Sequence, residues 1–493
     1  MSFPNSAGVY DRIVDKSFVV NAGGVVAGAI VISADRGPTT INTVTSAREF
    51  VDTYGLPDRD HPSLYAGLRF LNRAGILTVL RVINDAEAAS GTLEHDSDGN
   101  GTMVPHLDIK AANEGAWGNN ITVSFADASA KEGTGRFTVT VKEDGVEVES
   151  FVVSRDTEAK NGYGQNQFIE DVINGNSDYI TVTDYPAVTA AYDMSGSVSL
   201  SGGSDDTAPA TSGDIVLGWD EFLNVEDVPA TFLINAGFAV EEIQVKMVAV
   251  AQARKDCVAI LDVPQLDNDD ADAMVTYRDT LGINSYFGAL YGGWLRVYDP
   301  YSDREVEVPP SGDVAAAAVV TIQDYEYWEA PAGVRRGIIP NALGVTKVFS
   351  EGERDLLYTN GVNPVTTFAG AAAIIWGQKT QQVQASALDR LNVVNTVLWL
   401  NQRMKEALQP FVFEPNNEVT RNNVNYILTS FLDNIKQRGG LYDFAVDTST
   451  TINTPQVIDN NQLLVDVYIK PVRTAEFIRI STIVTPSGVT FDV

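Results

Sequence analysis

The order of continuous apolar runs and amphipathic helical segments constrains this chain most. Val25 to Ala34 (VVAGAIVISA) and Ile76 to Ile83 (ILTVLRVI) are apolar runs of strand length. Between them, Ser46 reads as an N-cap with Glu49 three residues on, a capping box. The next segment carries Leu64, Leu68 and Leu71 at helical spacing and ends at Gly75. A strand without polar alternation buries both faces, as in a parallel sheet covered by helices. The same alternation returns over 215–345, where ATFLINAGF and CVAILDVP read as strands and VEEIQVKMVAVAQARKD and DNDDADAMVTYRDTLG as helices.

Two other regions depart from this pattern. Residues 91–205 are rich in Gly, Ser, Asp and Thr, and Phe137, Val139 and Val141 alternate with polar residues before an Asp144-Gly145 turn. Near the end, a helix begins at Asn416 or Asn417, carries the stripe Val424, Ile427, Leu428, Phe431 and Ile435, and stops at Lys436, Arg438 and Gly439-Gly440. Half-buried strands follow, with Tyr442, Phe444 and Val446 on one face of the first and Leu463, Val465, Val467 and Ile469 on one face of the second.

The predicted fold class is therefore α/β and α+β, multidomain. It has a β-prone arm (1–20), an α/β core in two parts (21–90 and 206–345), an acidic β-rich insertion (91–205), a C-terminal α+β domain (346–473) and a terminal strand arm (474–493). Val9, Tyr10, Ile13 and Val14 in the first arm, and Phe477, Ile478, Ile480 and Val484 in the last, are apolar residues at chain ends. A β-prone end is either frayed or paired with another sheet edge.

Charge is unevenly spread. Residues 1–90 hold 8 basic and 9 acidic side chains and residues 346–493 hold 12 and 14, so the middle carries 14 against 42 of a net −31. A nucleic-acid partner would need a basic stripe to displace counterions, and none is visible. The acidic middle reads either as an outward, solvated face or as a solubility device. No run approaches the ~18 apolar residues of a membrane helix. The N-terminus lacks a signal-peptide layout. The single Cys257 lies in an apolar run and reads as a buried thiol, which suits assembly in the cytoplasm.

Reaction chemistry finds little support. His61, His95 and His106 show no paired metal-ligand spacing, and no P-loop, G-x-G-x-x-G or G-x-S-x-G element occurs. Asp96, Asp98 and Asn100 resemble the first half of a calcium loop, but Leu107 stands where the bidentate glutamate belongs; an exposed turn uses the same residues. The acidic run 267–272 reads as a helix start or a metal site. Trp294, Trp328, Trp376 and Trp399 read as core or interface anchors. No cofactor is expected. A soluble α/β enzyme would need a cleft of perturbed titratable groups.

Six segments, in order, resemble the contractile tail sheath family of phages and related injection particles. They are the opening GVY…GAIVISADRGP…SAREFVDTYG, then VPPSGDVAAAAVVTIQDYEYWEAPAG (Val308 to Gly333), LLYTNGVNPV, IIWGQKT (Ile374 to Thr380), FEPNNEVT and NTPQVID. The insertion has no counterpart among them. The resemblance implies a structural, non-enzymatic subunit of a virion tail, assembled in the host cytoplasm. Stacked hexameric rings of it would surround an inner tube and contract to drive that tube through the host envelope. It implies tube, baseplate and tail terminator proteins as partners, with no direct nucleic acid and no membrane insertion. A sheath of a non-phage injection system is the alternative. Arms from both chain ends would add strands to neighbouring subunits, and Arg403, Lys405, Lys436 and Arg438 are candidates for facing the tube, although the last two also suit a helix end.

Overall fold

The computed structural model describes residues 26–58, 61–96, 103–127, 135–185, 196–368, 372–477 and 479. Two compact units emerge. One contains residues 25–326 and 330–394, the other 327–329 and the chain from 395 onward.

The first unit is built on an eight-stranded sheet. Its strands are β1 (Gly28–Ile32), β2 (Asn42–Val44), β3 (Leu77–Arg81), β4 (Phe232–Ile234), β5 (Val258–Asp262), β6 (Gly288–Gly292), β7 (Val362–Thr367) and β8 (Ala373–Ile375). The spatial order is β8-β7-β6-β5-β4-β1-β3-β2. The six inner strands are parallel, and β2 and β8 close the two edges antiparallel. Every residue of β1, β3, β5 and β6 is buried, the polar Thr78, Arg81 and Asp262 included, as in strands covered on both faces. Residues 346–394, expected in the C-terminal domain, supply β7 and β8 to this sheet. That is a correction: β7 (VNPVTT) is interrupted by Asn363, Thr366 and Thr367 and β8 (AII) is three residues long, so neither carries the long apolar run that marks the other core strands.

Helices α1 (Ala47–Tyr54), α2 (Pro62–Leu71), α3 (Glu241–Arg254), α4 (Ala271–Leu281), α5 (Ser311–Asp324) and α6 (Glu351–Thr359) belong to the same unit. At the start of α1 the Ser46 hydroxyl accepts the Glu49 N–H as predicted, but the Glu49 carboxylate reaches one residue further back, to the N–H and hydroxyl of Thr45. The capping box is half formed. In α5 the run Ala315–Ala318 is buried along its whole length, and a helix apolar on all sides belongs inside a core.

The insertion forms a two-sheet body. One sheet pairs the strands at Gly196–Ser199, Ile121–Asp127, Arg136–Glu143 and Val146–Ser154; the other pairs Ser90–Asp96, Met103–Ala111 and Ile180–Asp184. Their inner residues share one apolar core, including Ile109, Val139, Val182 and Phe125. Asp144 and Gly145 both take positive φ, +50° and +79°, the hairpin turn their pair predicts. The entry and exit of the insertion are tied to each other, with Glu87 bridging Ser204 and Ser90 bridging Ser201.

In the second unit, α7 (Leu391–Leu408, shared at its first turn with the first unit) and α8 (Glu418–Gln437) precede a hairpin of β9 (Leu441–Asp447) and β10 (Asp466–Pro471). Asn417 caps α8 by accepting the Thr420 N–H. At its other end Gly439, at φ +86°, donates to Lys436 O and Gly440 donates to Ile435 O, which completes a Schellman stop.

Candidate functional site

The second unit holds the least finished part of the fold. Trp328, Trp399, Leu400, Phe431, Leu432, Ile435 and Leu441 form a small core, with Tyr327 stacked on Trp399 at 4.6 Å. Gly440 passes so close to Trp328 that a Cβ there would lie 2.6 Å from its ring. Phe444 and Val446 of β9 and Val467 and Ile469 of β10 pack on this core, yet all four remain only partly buried. Among the described residues, β9 and β10 pair only with each other, so each offers an open edge. A two-stranded sheet is marginal by itself, and an apolar face beside two open edges is a template for further strands.

The register differs from expectation at one point. Leu441 pairs Pro471 and Asp443 pairs Lys470, so Tyr442 is the extra residue of a β-bulge and is 64% exposed, not on the face of Phe444 and Val446. β10 also starts later than the alternation suggested, at Asp466. Asn453 fixes the intervening loop, its amide donating to Leu464 O at 2.9 Å and accepting the Leu464 N–H at 2.8 Å.

The sequence-predicted site residues do not converge. Arg403 is buried and pairs with Glu406 at 2.7 Å, which corrects its expected place at a surface: it lies on the α7 face that packs inward. Lys405 is exposed. Lys436 pairs with Asp443 at 2.8 Å, a bond that raises the lysine pKa and lowers that of the aspartate. Arg438 lies 5.5 Å from the Trp328 ring. Phe477 is 82% exposed. Val9, Tyr10, Ile13, Val14, Ile478, Ile480 and Val484 lie outside the described residues, as do Asp98 and Asn100. Asp96 ends a strand, paired with Met103. Cys257 is buried, which pushes its thiol up. Trp294, Trp328 and Trp399 are buried, whereas Trp376 is 42% exposed.

Spatial clusters invisible in the sequence occur in the first unit. His61 lies 3.1 Å from Asp58 through Nδ1 and 3.4 Å from Asp35 through Nε2, so ligand atoms of all three residues fall within 4.8 Å. Burial raises the Asp35 pKa. The histidine already bridges both carboxylates, a sufficient role for the group.

Parallel sheets bind ligands at their carboxyl end, where the strand order reverses. Here that reversal lies between β1 and β4, and the start of α5 is built into the same end of the sheet. Ser311 donates its N–H and hydroxyl to the Asp262 carboxylate at 2.9 and 2.6 Å, and its hydroxyl accepts the Ala236 N–H. Gly237 donates to the same carboxylate. Gly312 follows, so close to Ala66 that a Cβ would lie 2.3 Å from its carbonyl oxygen. Asp313 accepts both arms of the Arg69 fork, at 2.6 and 2.9 Å. The conspicuous PPSGD segment is thus used in packing.

Family models match two stretches of the chain: a phage tail sheath protein central domain over residues 208–381 and a phage tail sheath C-terminal domain over 383–485. The tail sheath protein of Vibrio phage KVP40 is 31% identical over 386 residues, covering 72% of this chain and 56% of that protein. That of Enterobacteria phage T4 is 30% identical over 378 residues, covering 72% and 57%. This chain therefore spans about half the length of the curated relatives it matches. The crystal structure of a sheath tail protein from Listeria innocua aligns with a TM-score of 0.63 at 15% identity, covering 92% of this chain and 96% of that one. The contracted helical sheath of the anti-feeding prophage aligns with a TM-score of 0.57 at 15% identity, covering 96% and 98%. At such identities these two structures speak to the fold alone.

Proposed function

The chain belongs to the phage tail sheath family, and we propose that it is a structural, non-enzymatic subunit of a contractile sheath. In this reading, stacked hexameric rings of it surround a tail tube in the virion and shorten to drive the tube through the host envelope. Assembly takes place in the host cytoplasm, with baseplate and terminator proteins bounding the sheath. One observation carries the reading: among the described residues the β9–β10 hairpin has two open edges and an apolar inner face left partly exposed.

Strands added by neighbouring copies would complete that face. Main-chain hydrogen bonds would supply the affinity, and the Phe444, Val446, Val467 and Ile469 face the fit. Such links act as tethers while the bodies of the subunits re-pack, so contraction is a switch between two packings of one subunit. The arms at 1–20 and 474–493 are the proposed donors. The acidic insertion is assigned the outer face of the sheath. Lys405, Lys436 and Arg438 are the tube-facing candidates that remain exposed, and Lys405→Glu is expected to weaken assembly on the tube.

Electron microscopy of the purified protein tests the reading. Long hollow tubes are expected. Deleting residues 1–20 or 474–493 should abolish the tubes and leave the circular dichroism of the body intact. Normal tubes from both deletions would refute strand exchange, and a small soluble oligomer from the full chain would refute the sheath itself. The sequence similarity to phage proteins at 30–31% identity favours a phage tail over a non-phage injection system.

A further inference from the structure

The segment joining α7 to α8 holds a residue that packing within one copy does not explain. Phe413 takes φ +73°, the left-handed region that a bulky side chain rarely adopts. Its side chain is 102% exposed, so no burial among the described residues rewards that conformation. Val412 before it and Val419 in the first turn of α8 are exposed as well. The backbone on both sides is nonetheless fixed. Val412 donates to Gln409 O at 3.2 Å, Glu414 to Phe411 O at 3.1 Å and Asn417 to Pro415 O at 2.9 Å. The Asn416 side chain donates to Gln462 O at 2.7 Å and accepts from Arg421 at 2.8 Å, which ties the segment to the loop between β9 and β10. Strained residues persist only where their surroundings over-determine them, and they gather at clamps and switches.

We infer that Phe413 is an anchor that becomes buried in a second copy of the chain. The inference rests on the sheath reading, which brings copies into contact. Two observations name the occupant. The Asn416 bond makes this apolar patch continuous with the β9–β10 hairpin, whose open edges that reading assigns to other copies. Charge also favours a like copy here: residues 346–493 hold 12 basic and 14 acidic side chains, against 14 and 42 over 91–345, and Glu414 is the one charge in the run 409–417. A ring already held in place loses little freedom on contact, and aromatic anchors of this kind dominate the energy of interfaces. Added strands bind through main chain; Phe413 supplies a side-chain lock beside them.

A full-length light-nitrogen chain with a benzophenone side chain at position 413 is mixed with an excess of unaltered heavy-nitrogen chain, assembled into tubes and irradiated. The excited ketone takes hydrogen from a touching C–H group and the two carbon radicals join, so no atom is lost. Mass spectrometry is expected to find position 413 linked to heavy-nitrogen peptides in tubes, and not below the threshold concentration for tubes. Phe413→Asn keeps a residue that tolerates this backbone and removes the anchor. It is expected to raise that threshold about tenfold, equivalent to about 1.4 kcal/mol, while the urea midpoint of the unassembled chain does not fall. Intact tubes without links to heavy peptides, as for a residue facing the lumen or the solvent, or an unchanged threshold in the variant, would overturn the contact and spare the sheath reading. A lowered urea midpoint in the variant would show that the ring serves its own copy instead. No tubes from the unaltered chain would overturn both.

Discussion

The Ser311 hydroxyl donates to the Asp262 carboxylate at 2.6 Å inside the first unit, joining the end of β5 to the start of α5. Burial pushes the Asp262 carboxyl up to about 7, against the pull of donors from Ser311 and Gly237. The unfolded value is about 3.9. Between these values the folded chain holds a proton that the unfolded chain releases. Stability from this group is therefore full below about pH 4 and falls as pH rises, by at most about 1.4 kcal/mol per unit and about 4 kcal/mol in all. Urea unfolding from pH 5 to 8 is expected to show this decline in the native chain, and Asp262→Asn should flatten it. Equal slopes in the two proteins would contradict the assignment.

Gly312 sets the separation of α2 and α5. A methyl group there would sit 2.3 Å from the Ala66 carbonyl oxygen, and backbone cannot swing aside as a side chain can. Gly312→Ala is expected to cost about 1–3 kcal/mol, the range for overpacking. A shift in the urea midpoint at unchanged slope would register it. No shift would mean the two helices can separate freely.

Much of this architecture was legible from the chain. Unbroken apolar strands such as Ala29–Ile32 announce a sheet buried on both sides, and Gly439-Gly440 announces the end of α8. Side-chain bridges between distant segments were not. Asn363, in LLYTNGVNPV, donates to Lys379 O at 2.7 Å and accepts the Lys379 N–H at 2.6 Å in IIWGQKT, so two motifs noticed separately form one joint. The Asp35–Asp58–His61 cluster spans a gap of many residues, and no local period encodes such proximity. The Tyr442 bulge escaped for another reason: one extra residue reverses the faces, and alternation alone cannot locate it.

Arg36 fastens the insertion to the sheet body. Its guanidinium pairs with Glu143 at 3.1 Å and lies 4.8 Å from the Trp117 ring. Both charged side chains are about one-fifth exposed, so screening is moderate. Arg36→Ala is expected to cost about 1–2 kcal/mol, from a cation–π contact and a half-buried ion pair. Amide exchange should quicken at Glu87 and Ser204, where the insertion joins the core, before it changes in β5. Uniform acceleration across the unit would show instead that insertion and core open together.

Ile469 separates the stability of one copy from the stability of the assembly. Its side chain packs on the Trp399 and Phe431 core but keeps part of its surface open. Ile469→Ala therefore removes only part of a full burial term, about 1 kcal/mol in the isolated chain. If added strands from other copies close over this face, the same substitution removes the remainder at every subunit of a tube. The threshold concentration for tubes should then rise by more than the monomer's loss accounts for. Urea unfolding measures the first quantity and sedimentation of tubes the second. Equal free-energy changes in the two would mean that nothing covers Ile469 on assembly, and the hairpin would need another explanation for its open face.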